Sequence, residues 1–458
     1  MKRRYSLLLA PSFMLMTTVS AACSDSDAGT GELTIPGDTI DTVGANDTVG
    51  ATDTVGATDT SSEPDGAASD ATTVDDTATP DSDVEVPPDD TTAPDTRVID
   101  PAELALDEAI VAQMAAGHLP GVAVTVVRGD TVLFEKGYGL ADVEGEVPVT
   151  VDTAFMLASV SKTVIAMAAL QAVDEGLVDL DEDIDGYLPF SVRTPVSPET
   201  AITLRMLLTH TSGIADDGDR TAELYVDGDS DVALGAILED LLTPTGALYD
   251  ADAGFTGVAP GTAYEYSNIG ASLAAFVVES ATSVPFDVWC DTRIFDPLGM
   301  THTAWHLAGL TGVPLALPYA WADGAWDTYG HYGYPDYPDG ALRASVSDLG
   351  KLLRMVIGGG VLGDVSVLPT WAVEAMLSDA VPEVELGQGL IWYQYDDDGE
   401  IYWGHEGGDS GVSTTMFFRP SDGLGVIVLT NMDAPEAEND PFSLYEIEAL
   451  LYEAADAW

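Results

Sequence analysis

The sequence predicts an α+β sandwich: one mixed, mainly antiparallel sheet made by strands from both ends of the folded region, flanked by helices and carrying a large helical insertion. Strand-and-turn patterns occur at Val122 to Phe134 and return from Leu390 to Leu429, while the long stretch between them reads as helices and loops. No regular strand–helix alternation is present, so a parallel doubly wound sheet is not expected. A sharp change of composition near Asp100 sets the start of this body.

Residues 1–22 read as an export signal. Lys2, Arg3 and Arg4 precede a mostly apolar run from Tyr5 to Val19, and Ser20-Ala21-Ala22 supplies small residues before Cys23. The pattern resembles a bacterial lipoprotein signal, which implies lipidation at Cys23 and a membrane anchor on the cell envelope, at the outer membrane or the periplasmic face. Cleavage after Ala22 and plain secretion is the alternative. Residues 23–100 are rich in Asp, Thr, Gly, Ala, Val and Pro, with a six-residue repeat starting at Asp41, Asp47 and Asp53. This segment holds about twenty carboxylates and a single cation, Arg97. It cannot bury enough apolar surface to offset its ordering entropy, so a disordered acidic tether is expected.

The globular domain is expected over residues 101–458, with a helical subdomain at roughly 180–385. Pro101 to Ala116 reads as a helix with Leu104, Ile110, Val111 and Met114 roughly on one side. Val122 to Val127 and Thr131 to Phe134 flank Arg128-Gly129-Asp130, a hairpin signal. The helical, loop-rich middle runs from about Ala158 to Leu377. Leu390 to Tyr395 and Ile401 to Trp403 then bracket the turn sequence Asp396-Asp397-Asp398-Gly399. Thr414 to Phe418 and Gly425 to Leu429 give two more strands, and Pro441 to Ala457 a closing helix.

Charge narrows the function classes. The 458 residues carry 15 Lys and Arg against 78 Asp and Glu, a formal charge of -63. Such a chain repels phosphate backbones, which excludes nucleic acid as a partner. Past Asp100 the carboxylates still outnumber the cations about five to one. Two cysteines, Cys23 and Cys290, make neither a disulfide framework nor a four-cysteine zinc site.

Three segments carry chemistry. In Phe155-Met-Leu-Ala-Ser159-Val-Ser-Lys162-Thr-Val-Ile, Ser159 and Lys162 are three apart, one helical turn from each other, among apolar neighbours. Burial there pushes an unpartnered amine toward its neutral form, and a neutral amine beside a hydroxyl can take its proton. In Tyr264-Glu265-Tyr266-Ser267-Asn268, ahead of the apolar helix Ile269 to Ser280, a phenol can shuttle protons and an amide can position. In Gly404-His405-Glu406-Gly407-Gly408-Asp409-Ser410-Gly411, glycines let a substrate approach the strand and leave backbone N–H groups free as oxyanion donors.

In this order the three segments resemble the motifs of the serine β-lactamase and penicillin-binding-protein superfamily, in particular its class C-type β-lactamase-related serine hydrolases. Leu207-Leu208-Thr209-His210-Thr211-Ser212-Gly213, Asp296-Pro297-Leu298-Gly299-Met300 and Pro338-Asp339-Gly340-Ala341-Leu342 extend the likeness, which runs from about Leu104 to the C-terminus. The resemblance implies that Ser159 is acylated, that Lys162 is its general base alone or with Tyr266, and that Tyr266 protonates the leaving group. It further implies that Asn268 orients Lys162 and the acyl side chain, and that His405 stands where the third β-lactamase motif has lysine. Gly407 and Gly408 would then receive the substrate, with the N–H groups of Ser159 and Gly408 as the oxyanion hole. His210 belongs to a fingerprint that holds a loop.

The expected partner is a small-molecule or short-peptide substrate, with no metal and no cofactor. Glu406 sits where relatives that bind acidic substrates have a hydroxyl, and a carboxylate facing the cleft would repel the carboxylate of a β-lactam or a D-Ala-D-Ala end. Strand alternation decides which way it faces. The reading therefore favours an ester, amide or aminopeptidase-like activity. The alternatives are a D-amino-acid-specific peptidase or carboxypeptidase or a β-lactamase, and, from another class, a non-catalytic binder of cell-wall peptides. His405-Glu406 lacks the second histidine of a zinc protease, because Asp409 stands there. His302 and His306 are spaced to share a helix face, and Asp227-Gly-Asp229-Ser-Asp231 reads as a solvated loop.

Overall fold

The structure is a computed structural model that describes residues 101–433 and 443–458. The expected signal, Cys23 and the acidic tether lie outside the described residues. Helix α1 spans Pro101–Ala116. Its buried stripe is Leu106, Ile110 and Met114, whereas Leu104 and Val111 face solvent, which corrects the predicted face. Positions four apart stay in line along a helix, and Leu104 and Val111 fall off that line.

Strands β1 (Gly121–Arg128), β2 (Thr131–Asp142) and β3 (Val147–Pro148) follow, and the predicted turn joins the first two. From the C-terminal region come β4 (Tyr393–Asp397), β5 (Glu400–Asp409), β6 (Val412–Arg419) and β7 (Leu424–Thr430). They close one seven-stranded sheet, ordered β4-β5-β6-β7-β1-β2-β3, in which β1 pairs with β7. Every pairing in it is antiparallel. Val122, Val124, Val126 and Val428 on one face pack with α1 and with the closing helix Ser443–Asp456. Ala123, Val127, Ile427 and Leu429 on the other face join the helical region. This two-sided burial explains why β1 and β7 read as continuous apolar runs.

Within the helical region, α2 (Lys162–Asp174) is buried along nearly its whole length and packs against α3 (Asn268–Thr282). Helix α4 (Val346–Ile357) covers β1 and β7. The segment with His302 and His306 is not helical: Thr303–Ala304 is a short strand and His306 precedes a single 3-10 turn. The two rings face different carboxylates, Asp152 and Asp287. Among the described residues, no single helix is long and apolar enough to cross a membrane.

Candidate active site

The nucleophile candidate lies on a 3-10 turn, Ala158–Ser161, that leads directly into α2. Ala158 has φ +48, a left-handed conformation that an alanine adopts at some cost, so the turn stores strain immediately before Ser159. Thr414 of β6 holds the turn by donating to the Leu157 carbonyl at 2.7 Å. β5 lies alongside. A side chain on Gly407 would begin 2.3 Å from the Leu157 oxygen, 2.5 Å from Thr414 Oγ1 and 3.0 Å from the Ser159 nitrogen. Only glycine lets the strand come this close. β4 stops opposite Gly404, so residues 405–409 carry no strand on their outer side.

Lys162, fully buried, donates from Nζ to Ser159 Oγ at 3.0 Å and to the Asp339 carbonyl at 2.5 Å. Its ammonium also stands 5.2 Å from the centre of the Tyr266 ring. Burial is the largest influence and pushes this amine down, but Tyr266, Asp339 and Asp216 outweigh it and hold Lys162 above its ordinary value. The neutral amine expected from the sequence is therefore corrected. The apolar neighbours were legible, but the carboxylates that reach Lys162 from distant segments were not.

Asp336 and Asp339 lie on the loop around the short turn Tyr337–Asp339, and both are buried. Burial pushes Asp336 up to about 6 and Asp339 well above the usual carboxylate range. Asp216 receives Ser267 Oγ at 2.9 Å and the N–H groups of Asn268 and Ile269 at 2.6 and 3.1 Å. It thereby satisfies open donors at the start of α3, just after Tyr266. Lys162 has Ser159 and Asp339 as its partners rather than the Asn268 carboxamide.

Two histidines flank Tyr266. The His210 ring lies 4.4 Å from the Tyr266 ring, and its Nδ1 accepts from the Ser267 N–H at 3.2 Å, which leaves the proton on Nε2. His405, with ring centres 6.2 Å from Tyr266, donates from Nδ1 to the Glu406 carbonyl at 2.5 Å, which leaves Nε2 a bare acceptor. Burial, with Lys162 second, pushes His405 down to about 3. Burial likewise lowers His210 well below its ordinary value. Both rings are neutral at ordinary pH. His210 Nε2 and His405 Nε2 are buried and have no hydrogen-bond partner, and the buried Tyr266 oxygen lies beside Lys162. They are polar atoms placed for something that arrives.

Alternation along β5 settles the direction of Glu406. Trp403 faces the core on the helical side with Gly407, whereas Tyr402 joins the core beneath α1 and the closing helix. Glu406 shares the Tyr402 face and accepts from Tyr445 of the closing helix at 2.5 Å. Its carboxylate is turned away from Ser159.

The comparisons agree with this architecture. The family model described as Beta-lactamase matches residues 106–448. Protein flp of Staphylococcus aureus (strain N315) is 23% identical over 343 residues, covering 74% of this chain; the chain spans 65% of that relative's length. Penicillin-binding protein 4 of Amycolatopsis lactamdurans is 28% identical, with 69% of this chain and 81% of that protein covered. Among solved structures, the octameric penicillin-binding protein homologue from Pyrococcus abyssi superposes with a TM-score of 0.61 at 25% identity, covering 77% of this chain and 76% of the other.

Proposed function

The chain belongs to the Beta-lactamase family of the serine β-lactamase and penicillin-binding-protein superfamily, and from that premise we propose that it hydrolyses an ester or amide through an acyl intermediate on Ser159. The observation that carries this reading is the buried Lys162 Nζ, 3.0 Å from Ser159 Oγ on a strained turn. Ser159 Oγ attacks the carbonyl carbon while its proton passes to the Tyr266 oxygen, which acts as a phenolate beside the Lys162 ammonium. Tyr266 returns a proton to the leaving alcohol or amine. Water then attacks the acyl-serine and gives a proton to Tyr266, which passes it to Ser159 Oγ as the acyl C–O bond breaks and the carboxylic acid leaves. The N–H groups of Ser159 and Gly408 receive the developing oxyanion. These side chains suffice for acyl transfer, so the proposal invokes no cofactor.

An ester or amide is favoured over a β-lactam or a D-Ala-D-Ala end because of His405. Held down to about 3, it is uncharged at working pH and offers no cation to a substrate carboxylate. This argument replaces the one from Glu406, whose side chain is turned away. The sequence pattern of residues 1–100 supports export and anchoring through Cys23, with the acidic segment as tether.

A fluorophosphonate probe on the purified protein tests the proposal. Labelling of the wild type that disappears in Ser159→Ala is expected. Folded wild type that stays unlabelled would overturn the proposal in favour of a non-catalytic binder, and efficient nitrocefin turnover would overturn the preference against β-lactams.

A further inference from the structure

Asp409 follows Gly408 directly, on the strand beside Ser159. Its Oδ1 accepts from Tyr225 Oη at 2.8 Å and from the Ser410 N–H at 2.7 Å, and its Oδ2 accepts from Tyr334 Oη at 3.3 Å. The Tyr225 ring packs 5.4 Å from Tyr332 and 5.0 Å from Tyr334, and Tyr332 Oη donates to the Ser410 carbonyl at 2.7 Å. Three phenols thus surround one carboxylate. Tyr225, 37% exposed, forms the mouth. The box adjoins the nucleophile: the point where a Gly340 side chain would begin is 2.2 Å from Tyr334 Oη and 3.6 Å from the carbonyl carbon of Ala158.

Among the described residues no Lys or Arg pairs directly with this carboxylate, and Arg343 reaches it only through its longer-range field. Lys162 and Arg343 are the only Lys or Arg among the described residues with no carboxylate oxygen within 4.0 Å. Lys162 is bound to Ser159 and Asp339, and Arg343 donates to the carbonyls of Tyr332 and Ala341. A second, independent observation points the same way. His405 Nε2, four residues back on the same strand and on the same side of it, is buried without a partner and is a bare acceptor. Carboxylate oxygens, aromatic faces and a bare imidazole nitrogen are the groups that recognise an ammonium. A metal ion fits less well, because among the described residues no group of three or more His, Cys, Asp or Glu side chains is placed to hold one.

We propose that Asp409, Tyr225 and Tyr334 form a subsite for a primary ammonium on the substrate, so that the enzyme acts on esters or amides bearing a free amine near the scissile carbonyl, as aminoacyl compounds do. This inference rests on the acyl-serine reading of Ser159. The ammonium would enter between the tyrosine rings and pair with Asp409 while the carbonyl oxygen lies at the N–H groups of Ser159 and Gly408.

The test uses the full chain and paired p-nitroanilides of D- and L-alanine, each with a free and with an N-acetylated amine. The expected wild-type kcat/KM is at least about tenfold higher for the free amine of one enantiomer, and Asp409→Asn brings that ratio close to one. A wild-type ratio near one, or a ratio unchanged in Asp409→Asn, would overturn the inference. Should Asp409→Asn not fold, Tyr225→Phe is read by the same ratio and must lower it. Fluorophosphonate labelling of Ser159 in the same preparation separates the two failures. Labelling with no amine preference sinks the subsite alone, whereas no labelling sinks the acyl-serine reading and the subsite with it.

Discussion

Asp336 carries its burial as a dependence on pH. Its carboxyl is raised from 3.8 to about 6, with burial as the main cause. A carboxyl raised on folding adds stability that is complete below the unfolded value and is lost as pH rises through the folded one. Between pH 4 and pH 7 this group therefore withdraws stability as it ionises, on the order of a few kcal/mol at most. Replacing it with a neutral isostere removes that loss. Asp336→Asn is expected to raise Tm relative to wild type at pH 8 and to show little gain at pH 4, and an equal change at both pH values in thermal scans would contradict the assignment. The same residue shows where sequence reading stops. Ser159, Lys162, Tyr266 and His405 were legible because their chemistry sits in short patterns with fixed spacing. Asp216, Asp336 and Asp339 lie in unpatterned loops, and their effect on Lys162 exists only once those loops are folded against α2.

Helix α3 sets the position of Tyr266, and its start depends on one carboxylate. Asp216 satisfies two backbone N–H groups of α3 and the Ser267 hydroxyl. Asp216→Ala leaves those donors buried and unanswered, at a cost of about 1–3 kcal/mol. The expected outcome is a lower Tm together with a fall in kcat larger than the change in KM, because Tyr266 loses its placement while the substrate subsites stay. Unchanged kcat in a destabilised variant would show that Tyr266 is positioned by His210 alone. Elements were the most legible scale: the first hairpin, β5 to β7 and the closing helix stand where turn signals and apolar patterning put them. The α1 face was misplaced because its first turn and its far side also carry apolar residues. The histidine pair was misplaced because four-residue spacing means a shared face only where a helix exists.

Over the whole molecule, carboxylates dominate both the surface and the site. The chain carries a formal charge of -63, and buried Asp336 and Asp339 and half-buried Asp216 and Asp409 gather near Ser159, with Lys162 and Arg343 as the buried cations. Such a field concentrates cationic substrates and weakens as salt screens it over a Debye length of roughly 8–10 Å near physiological ionic strength. For an aminoacyl ester, kcat/KM is expected to fall several-fold between 50 and 500 mM NaCl, while a neutral ester of the same alcohol stays nearly flat. Parallel curves for both would place the charge effect outside the site. The acidity was plain from composition, but its concentration behind the nucleophile was not. Composition counts charges without saying which ones the fold brings together.

The acyl-serine step itself is reached most directly by rapid acid quench of the full chain with a p-nitrophenyl ester, followed by intact-mass and peptide mapping. A mass gain equal to the acyl group, located on Ser159 and absent in Ser159→Ala, is the predicted result. Turnover with no covalent acyl group at any quench time, or an acyl group on another residue, would contradict it.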